Sequence, residues 1–514
     1  MGAASTTTAE RMQRWTRRVL LLFTWAAGLS LALQAVVMVW ARHELVPYEP
    51  VVALHCIQVA RGGELYYDLN RYPYTIATYT PGYYLLTAAL TRLGLPVVHA
   101  GRLISLLALL GVVWLCRRLL LLYTGDRYAT WAGTLLVAST GNLAYWGTVC
   151  RVDMLALLFS LAAFYDYSQY RLTGQAGRLI RAGVLVVAAV FTKQTSLVAG
   201  AVILCLLAQD RDRRRQAAWF GACTGLAGIG LALGLEHFSG GRFFANTVLA
   251  TLNPFSRNNL ILQTRYLVLA GGCLVILALA GLRLALREGF HPLYAYLVGA
   301  ASLAAATMAK VGSDLNYQLE TMTLLGLCGG WSLYRLDFFP RLLRADGSTV
   351  TLLQIPLLLH LVVNLGVSGK TLLHRSVEEH MRRQEYASLR PYLEGGSASV
   401  LSVHQGPLLA SGRPVEVEPF MYRLMVGAGR VDGEPLRHDL AQGKFGLVIL
   451  YHDVFTAGAR DPDLCTLPDV HLDQIRQSYR LAGRVPGPAL DNYLYQPQRS
   501  PEPPAAALER LSAR

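Results

Sequence analysis

The sequence predicts a mainly α-helical, polytopic membrane bundle that carries a small α/β domain at its C-terminal end. Of its 514 residues, 53% are hydrophobic and only 16% are charged, whereas a soluble protein usually carries about 25% charged residues. Apolar stretches of roughly 18 to 25 residues, each flanked by arginines, recur along the first two thirds of the chain and are long enough to span a bilayer. Beyond Lys370 charged residues, Gly and Pro become frequent, and the apolar runs shorten to the length of strands.

The distribution of arginines predicts the orientation of the bundle. Arg17 and Arg18 precede the first apolar run and hold the N-terminus in the cytoplasm, so the loop from Arg42 to about Ala100 lies outside. The first run is too long for a cleaved signal peptide and lacks a clear cleavage site. A count of about eleven spans places the C-terminal domain outside the cell membrane. The predicted spans are 19–40, 103–122, 128–146, 154–170, a pair of short helices within 182–208 that is broken at 192–194, 218–235, 266–286, 294–308, 318–334 and 350–367.

Three regions follow from these patterns. Residues 1–369 form the transmembrane bundle with juxtamembrane helices in its first outer loop, 370–497 form the outer α/β domain, and the Pro-, Ala- and Arg-rich tail 498–514 is predicted to be disordered. The short apolar runs of the outer domain predict strands at 399–403, 414–417, 445–450 and 493–495, with helices at 377–389 and 472–479.

Composition argues against several classes of partner. The net charge of +14 does not indicate nucleic acid, because the basic residues are spread over short loops between spans. The eight cysteines include no CxxC pair, which argues against a zinc site and against a disulfide framework.

The first outer loop holds an unusual stretch from Tyr48 to Tyr84, which is rich in tyrosine and proline. Glu49 precedes a proline and an apolar run that ends at a Gly-Gly pair, which predicts a short helix on the outer membrane face with an exposed carboxylate at its start. The helix dipole favours the charged carboxylate, so Glu49 is either a general base or only a capping acid. The tyrosines, Tyr83 and Tyr84 among them, suit either an interface belt or the faces of a sugar.

Further ionisable residues occur where later spans meet the outer surface. Asp153 follows Arg151 at the mouth of the fourth span, and the two form either part of a site or a surface ion pair. Lys193 separates two short apolar helices, where a buried lysine needs an anion such as a lipid phosphate. The alternative for Lys193 is snorkelling to the headgroups.

A polar segment, KVGSDLNYQLE at 310–320, lies at another outer boundary. Asn316 and Glu320 are four residues apart and share a helix face. Glu320 lies within the next apolar run and needs a partner or a water-filled cavity. Lys310, Asp314, Asn316 and Glu320 are therefore candidates for a substrate groove, although a loop between spans is often polar for no special reason.

Taken in order, these motifs resemble the GT-C class of membrane glycosyltransferases, and most of all the branch of protein O-mannosyltransferases and the lipid A aminoarabinose transferase. The resemblance covers about residues 15 to 330 and rests on the acid of the first outer loop followed by GGELYYD, YTPGYYLLTAAL, GRLISLLALLG, RVDMLALLFSLAAFY and FTKQTSLVAG. Two positions depart from the pattern. The chain has Tyr48-Glu49 where many relatives have Asp-Glu, and it has Thr80 where the aminoarabinose transferase has a lysine.

The resemblance implies an enzyme of the plasma membrane, of the bacterial inner-membrane type, that transfers a hexosyl or pentosyl group with inversion. Its donor would be a sugar on a polyprenyl phosphate, and its acceptor a glycan, lipid or protein outside the cytoplasm. By analogy Glu49 is the general base, Asp153 positions the acceptor, and Lys193 with Arg151 neutralises the lipid phosphate. No organic cofactor is implied. A divalent metal held by Glu49 or Asp153 is left open.

A transporter of lipid-linked sugars is the alternative function. Transporters usually place ionisable groups near the bilayer midplane and contain paired repeats. Here the candidate groups gather at the outer ends of spans and no repeat is visible, which favours chemistry at the surface. The third hypothesis is a sensor whose tail binds a partner. It does not explain why the candidate residues gather on one side of the membrane.

Overall fold

The computed structural model describes residues 18–498 apart from 20–21, 24, 47, 288, 337–346, 395–398 and 457–465. The predicted disordered tail lies outside these residues except for Gln498, and Arg17 also lies outside them. The described part of the chain is mainly helical with a small sheet near its C-terminal end, as the sequence predicts.

Helices α1 to α14 make up the membrane part, and most of them coincide with the predicted apolar runs. They are α1 (Trp25–Val39), α2 (Glu49–Ala60), α3 (Gly82–Arg92), α4 (Val97–Thr124), α5 (Arg127–Ala138), α6 (Gly141–Trp146), α7 (Asp153–Thr173), α8 (Ala176–Val190), α9 (Val198–Gln209), α10 (Arg214–Phe238), α11 (Arg242–Thr247), α12 (Arg257–Arg287), α13 (Pro292–Thr307) and α14 (Leu319–Arg335).

Within the described part of the chain, four helical segments are both long enough and apolar enough to cross a membrane: Val97–Thr124, Arg211–Phe238, Arg257–Arg287 and Pro356–Glu394. Four shorter apolar helices accompany them. The chain is thus a multi-pass membrane protein, while the total of about eleven spans stays a prediction.

The predicted helix break around Lys193 is confirmed, because α8 ends at Val190 and α9 begins at Val198. The first outer loop packs tightly on this break. Gly82 donates its N–H to the carbonyl of Phe191 at 2.6 Å, and a Cβ at position 82 would lie only 2.6 Å from that oxygen. Glycine is required at this contact because any side chain would force the two segments apart.

Helix α2 is present as predicted, but its expected exposure on the membrane face is wrong. Its first residues and those facing α3 and α4 are buried, and none of its twelve residues is exposed. The reason is a partner that local patterning cannot show. Leu54, on the outer side of α2, packs against a cluster that includes Leu389 and Leu408 from the C-terminal part of the chain.

A single helix, α15 (Gly347–Glu394), runs through the predicted domain boundary between 369 and 370. The predicted separate helix at 377–389 is therefore part of α15. The described residues of the outer domain then form β1 (Ser399–Ser402), α16 (Gln405–Ala410), α17 (Pro419–Gly427), α18 (Glu434–Ala441), β2 (Phe445–Leu450), α19 (Asp469–Ser478), β3 (Tyr479–Val485) and β4 (Asn492–Pro497).

The outer domain contains a four-stranded sheet in the order β1-β2-β4-β3, in which β1 and β2 are parallel and the other neighbours antiparallel. The strand predicted at 414–417 is wrong, because only Val417 forms a bridge, and it does so with Tyr74 of the first outer loop. Strand β3 was not predicted. Four of its seven residues are exposed, and the apolar alternation that marks a strand is weak there.

The outer domain is joined closely to the first outer loop. Tyr74 N–H donates to the carbonyl of Glu416 at 2.8 Å, and Glu418 N–H donates to the carbonyl of Tyr74 at 2.9 Å. Tyr74 and Ile76 are buried in the core of the outer domain. The first outer loop therefore contributes to two cores, and its path is fixed by both.

Candidate active site

A first cavity of about 140 Å³ lies where the outer ends of the membrane helices meet the outer domain. Its walls come from α2, from the break between α8 and α9, from the segment before α14, and from the start of α17. The charged and amide side chains in its lining are Arg151, Lys193, Gln194, Asn253, Lys310, Asp314, Asn316 and Glu418.

Four of the predicted site residues form one buried cluster at this cavity. Lys193 Nζ donates to Asp153 Oδ1 at 2.6 Å, and Asn316 Nδ2 donates to the same oxygen at 2.7 Å. Arg151 Nε lies 3.5 Å from Asp153 Oδ2. Asp153 is the first residue of α7, where the helix dipole also stabilises its negative charge.

Arg151 is held over three aromatic rings, with its guanidinium carbon 5.2 Å from the centre of Tyr79, 5.8 Å from Tyr48 and 5.8 Å from Trp146. Its Nε is buried and has no hydrogen-bond partner among the residues that the structure describes. The cluster thus contains two cations for one carboxylate and keeps an unused donor. A buried site with an excess of positive charge is suited to an anion.

The structure places the other predicted groove residues in different cavities. Tyr84, Lys310 and Asp314 line the first cavity. Glu320 lies in a neighbouring cavity of about 50 Å³, which Asp153 also lines, and it accepts a hydrogen bond from the hydroxyl of Tyr296.

Tyr83 is a correction to the predicted site. It is fully buried and donates its hydroxyl to the carbonyl of Gly101 at 2.8 Å, so it packs α3 against α4 and does not line the cavity.

Glu49 is a second correction, because its side chain is fully buried and absent from the lining. Arg102 of α4 pairs with both oxygens, Nε to Oε1 at 2.9 Å and Nη2 to Oε2 at 2.7 Å. Cys150 N–H donates to Oε1 and Leu45 N–H donates to Oε2, each at 2.6 Å. A carboxylate has about four lone-pair positions, so this one has none left for a substrate proton.

The residues do not fit the divalent metal that the resemblance left open. Glu49 is saturated by Arg102 and two backbone amides, while Asp153 is flanked by Lys193 and Arg151. Cations so close to both carboxylates oppose the binding of another cation. Among the described residues no group of three or more His, Cys, Asp or Glu side chains has the arrangement of a metal site.

A second cavity of about 200 Å³ adjoins the first, with Tyr48, Val51 and Glu418 in both linings. Its far end contains a buried polar cluster centred on His404. The imidazole Nε2 lies 2.8 Å from Glu44 Oε1, and Nδ1 lies 3.0 Å from Asn492 Oδ1 and 3.4 Å from Glu385 Oε1. Arg382 and Tyr386 also contact Glu44.

This cluster predicts a pH-dependent attachment of the outer domain. Burial lowers the pKa of His404, but the bond to Glu44 and the charges of Glu44 and Glu385 raise it above the usual 6.5. The stabilisation is fully present below pH 6.5 and is lost as pH rises through the raised value. Burial raises the pKa of Glu44, yet His404 and Arg382 bring it down from 4.5 to about 2, so its contribution is lost only as pH falls toward 2.

We therefore expect the melting temperature of the purified protein to fall as the pH rises above about 6.5. His404→Gln should remove this part of the slope, because the amide does not titrate. The measurement is the difference in melting temperature between the wild type and His404→Gln at each pH. The contributions of the other titrating groups cancel in this difference. An identical pH slope in the two proteins would contradict the prediction.

Glu418 is the cavity residue that the sequence did not single out. It is 4% exposed, precedes α17, and lines both cavities. Burial raises its pKa to about 7, although the backbone amides of Met421 and Phe420 act in the opposite direction. The acid-proline pair at 418–419 repeats the pattern at 49–50 and was available as a signal for a helix start. It gave no sign that this helix starts at a membrane cavity.

No family model matches the sequence, and no curated protein matches it. Solved structures do match its fold. The chain is similar to ArnT from Cupriavidus metallidurans in the apo state, with 16% identity, a TM-score of 0.60, and coverage of 93% of this chain and 98% of that one. It is also similar to ArnT from the same organism bound to undecaprenyl phosphate, with 14% identity, a TM-score of 0.62, and coverage of 94% and 99%.

A third match is the apo oligosaccharyltransferase of Archaeoglobus fulgidus, with 12% identity and a TM-score of 0.53 over 85% of this chain and 69% of that one. At such identities the matches establish the fold. ArnT is the lipid A aminoarabinose transferase, and both proteins are GT-C glycosyltransferases. The chain therefore has the fold of the GT-C membrane glycosyltransferases, which confirms the resemblance seen in its sequence.

Proposed function

We propose that this protein is a membrane glycosyltransferase that moves a sugar from a polyprenyl phosphate to an acceptor hydroxyl on the extracytoplasmic side. The observation that carries the proposal is the pair of buried cations, Lys193 and Arg151, at a cavity at the outer ends of the membrane helices. The ArnT structure with bound undecaprenyl phosphate supports this class of donor.

The cations suit the leaving group of such a reaction. In the donor, the phosphate that joins sugar and lipid carries one negative charge, and it gains a second as the bond to the anomeric carbon breaks. Fixed positive charge placed where negative charge develops stabilises the transition state more than the ground state. Asp153 accepts hydrogen bonds from both Asn316 and Lys193 and so holds Lys193 in place for this role, and the rings around Arg151 orient its guanidinium.

The acceptor oxygen attacks the anomeric carbon from the face opposite the departing phosphate, so the configuration inverts. This step needs a carboxylate that takes the hydroxyl proton. Glu49 was predicted for it, but the contacts of Glu49 with Arg102, Leu45 and Cys150 favour a structural role.

A binding experiment tests the proposal at the phosphate. We expect undecaprenyl phosphate, but not the uncharged alcohol undecaprenol, to bind the purified protein. Arg151→Met should weaken that binding about tenfold or more, because a hydrogen bond to a charged group contributes about 1.5–3 kcal/mol. Binding is followed by the fluorescence of Trp146, whose ring centre lies 5.8 Å from the Arg151 guanidinium carbon. The measurement uses a background variant in which the other tryptophans are replaced by Phe.

Arg437→Met is the matched control, since Arg437 is exposed and, among the described residues, forms its ion pair with Glu434 on its own helix. Equal binding of the phosphate and the alcohol would contradict a phosphate site. Transfer of the sugar to any acceptor would identify an enzyme and exclude a protein that only transports the donor. Movement of the donor across vesicles without transfer would favour the transporter.

A further inference from the structure

Glu418 is the carboxylate among the side chains that line both cavities. Its carboxylate belongs to the outer domain, yet it lines the first cavity together with Lys193 and Arg151. It also lines the second cavity, which the cluster of Glu44 and His404 closes at the far end. A group at this junction faces both a ligand in the first cavity and a ligand in the second.

Backbone contacts on both sides hold Glu418 at this junction. Its own N–H and the carbonyl of Glu416 pair with Tyr74 of the first outer loop. The side chain then turns onto the start of α17, where Oε1 accepts from Phe420 N–H at 3.2 Å and Oε2 from Met421 N–H at 2.8 Å. These bonds use two of about four lone-pair positions and leave one on each oxygen.

The other carboxylates near the first cavity are less suited to receive a proton. Glu49 accepts four hydrogen bonds, two of them from Arg102. Asp153 is neutralised by Lys193 and Arg151. Asp314 is exposed to solvent and does not line the second cavity.

Glu418 differs from all three. It is buried, and within the described part of the chain no cation pairs with it. Burial without a counter-charge favours the protonated form, and the pKa of about 7 reflects this. A carboxylate of that basicity exchanges protons readily at neutral pH.

We propose that Glu418 is the general base of the transfer, with the sugar donor in the first cavity and the acceptor hydroxyl entering from the second. The inference rests on the proposed function. In the step, the acceptor oxygen forms a bond to the anomeric carbon while the bond from that carbon to the phosphate oxygen breaks. The phosphate leaves with the bonding electron pair, and the hydroxyl proton passes to the Glu418 carboxylate.

The assignment gives the outer domain a part in the chemistry. The membrane helices supply the cations for the leaving group, and the outer domain supplies the base. The first outer loop pairs with the backbone of Glu416 and Glu418 on one side and contacts the helix break at Lys193 on the other. It therefore sets the distance between the base and the cations.

Glu418→Gln tests the assignment directly. We expect turnover to fall about 10²- to 10⁴-fold, the usual contribution of a general base, while the affinity for undecaprenyl phosphate stays within about twofold. Glu416→Gln is the matched control, because it makes the same change two residues earlier on a side chain that does not line either cavity. It should transfer sugar at the wild-type rate.

A pH profile keeps the test valid if Glu418→Gln folds poorly. For the wild-type protein, kcat/KM should fall with unit slope below about pH 7, as the carboxylate becomes protonated. A profile that is flat from about pH 5 to 8, or turnover of Glu418→Gln within about threefold of wild type, would overturn the assignment of Glu418 and leave the proposed function standing. A wild-type protein that neither binds the lipid phosphate nor transfers sugar would overturn both.

Discussion

Replacing Arg102 by Met is expected to destabilise the protein by about 3–5 kcal/mol, because it leaves the Glu49 carboxylate buried without its counter-charge. Both side chains have no exposed surface, so water cannot take the place of the lost partner. The variant should show a strongly lowered melting temperature and a small yield of monodisperse protein in detergent.

Glu49→Gln should be milder, since Arg102 keeps the carbonyls of Met38, Ala41 and His43 as acceptors. The double variant should be more stable than Arg102→Met alone, because it removes the unpaired charge. Arg117→Met, an exposed arginine on the same helix, is the control. If Glu49→Gln abolished transfer at an unchanged melting temperature, the structural role would be wrong and Glu49 would return as the candidate base.

Lys193→Met is expected to lower the turnover number by about 10²- to 10³-fold, the loss that follows removal of one charged or hydrogen-bonding group at a developing anion. The substitution also exposes the donor phosphate to Asp153, which has lost its closest cation. Steady-state transfer at saturating donor measures the effect.

The coupling between the two residues gives a sharper result. In Lys193→Met with Asp153→Asn, the repulsion between the carboxylate and the phosphate is absent, so the double variant should be about tenfold faster than Lys193→Met alone. Ile203→Met, within α9 and fully buried, controls for the introduction of a methionine. A double variant no faster than Lys193→Met would contradict the predicted repulsion between the Asp153 carboxylate and the donor phosphate.

The sequence was most informative where the signal was local. The apolar runs located most of the helices, and the triplet at 192–194 located the break that carries Lys193. The structure brings together Arg151, Asp153, Lys193 and Asn316. Each of them lies near a predicted span end that positive-inside counting assigns to the same side.

The errors at Glu49 and Glu418 share one physical cause, which is a partner far along the chain. The exposure of Glu49 depends on Arg102, 53 residues later, and an arginine inside an apolar run carries no sign of which carboxylate it meets. The importance of Glu418 depends on the pairing of its backbone with Tyr74. Long-range pairings of this kind leave no periodic pattern in either segment.

The bridge between Tyr74 and Val417 also has a consequence for how the protein is made. The two segments are separated by about 340 residues, and at about 5–20 residues per second the ribosome needs roughly 20 to 70 s to produce the second after the first. During that interval Tyr74 and Ile76 lack the core in which they end up. Lys193 and Arg151 are synthesised long before Glu418, so under the proposed function a nascent chain would acquire its phosphate site before its general base.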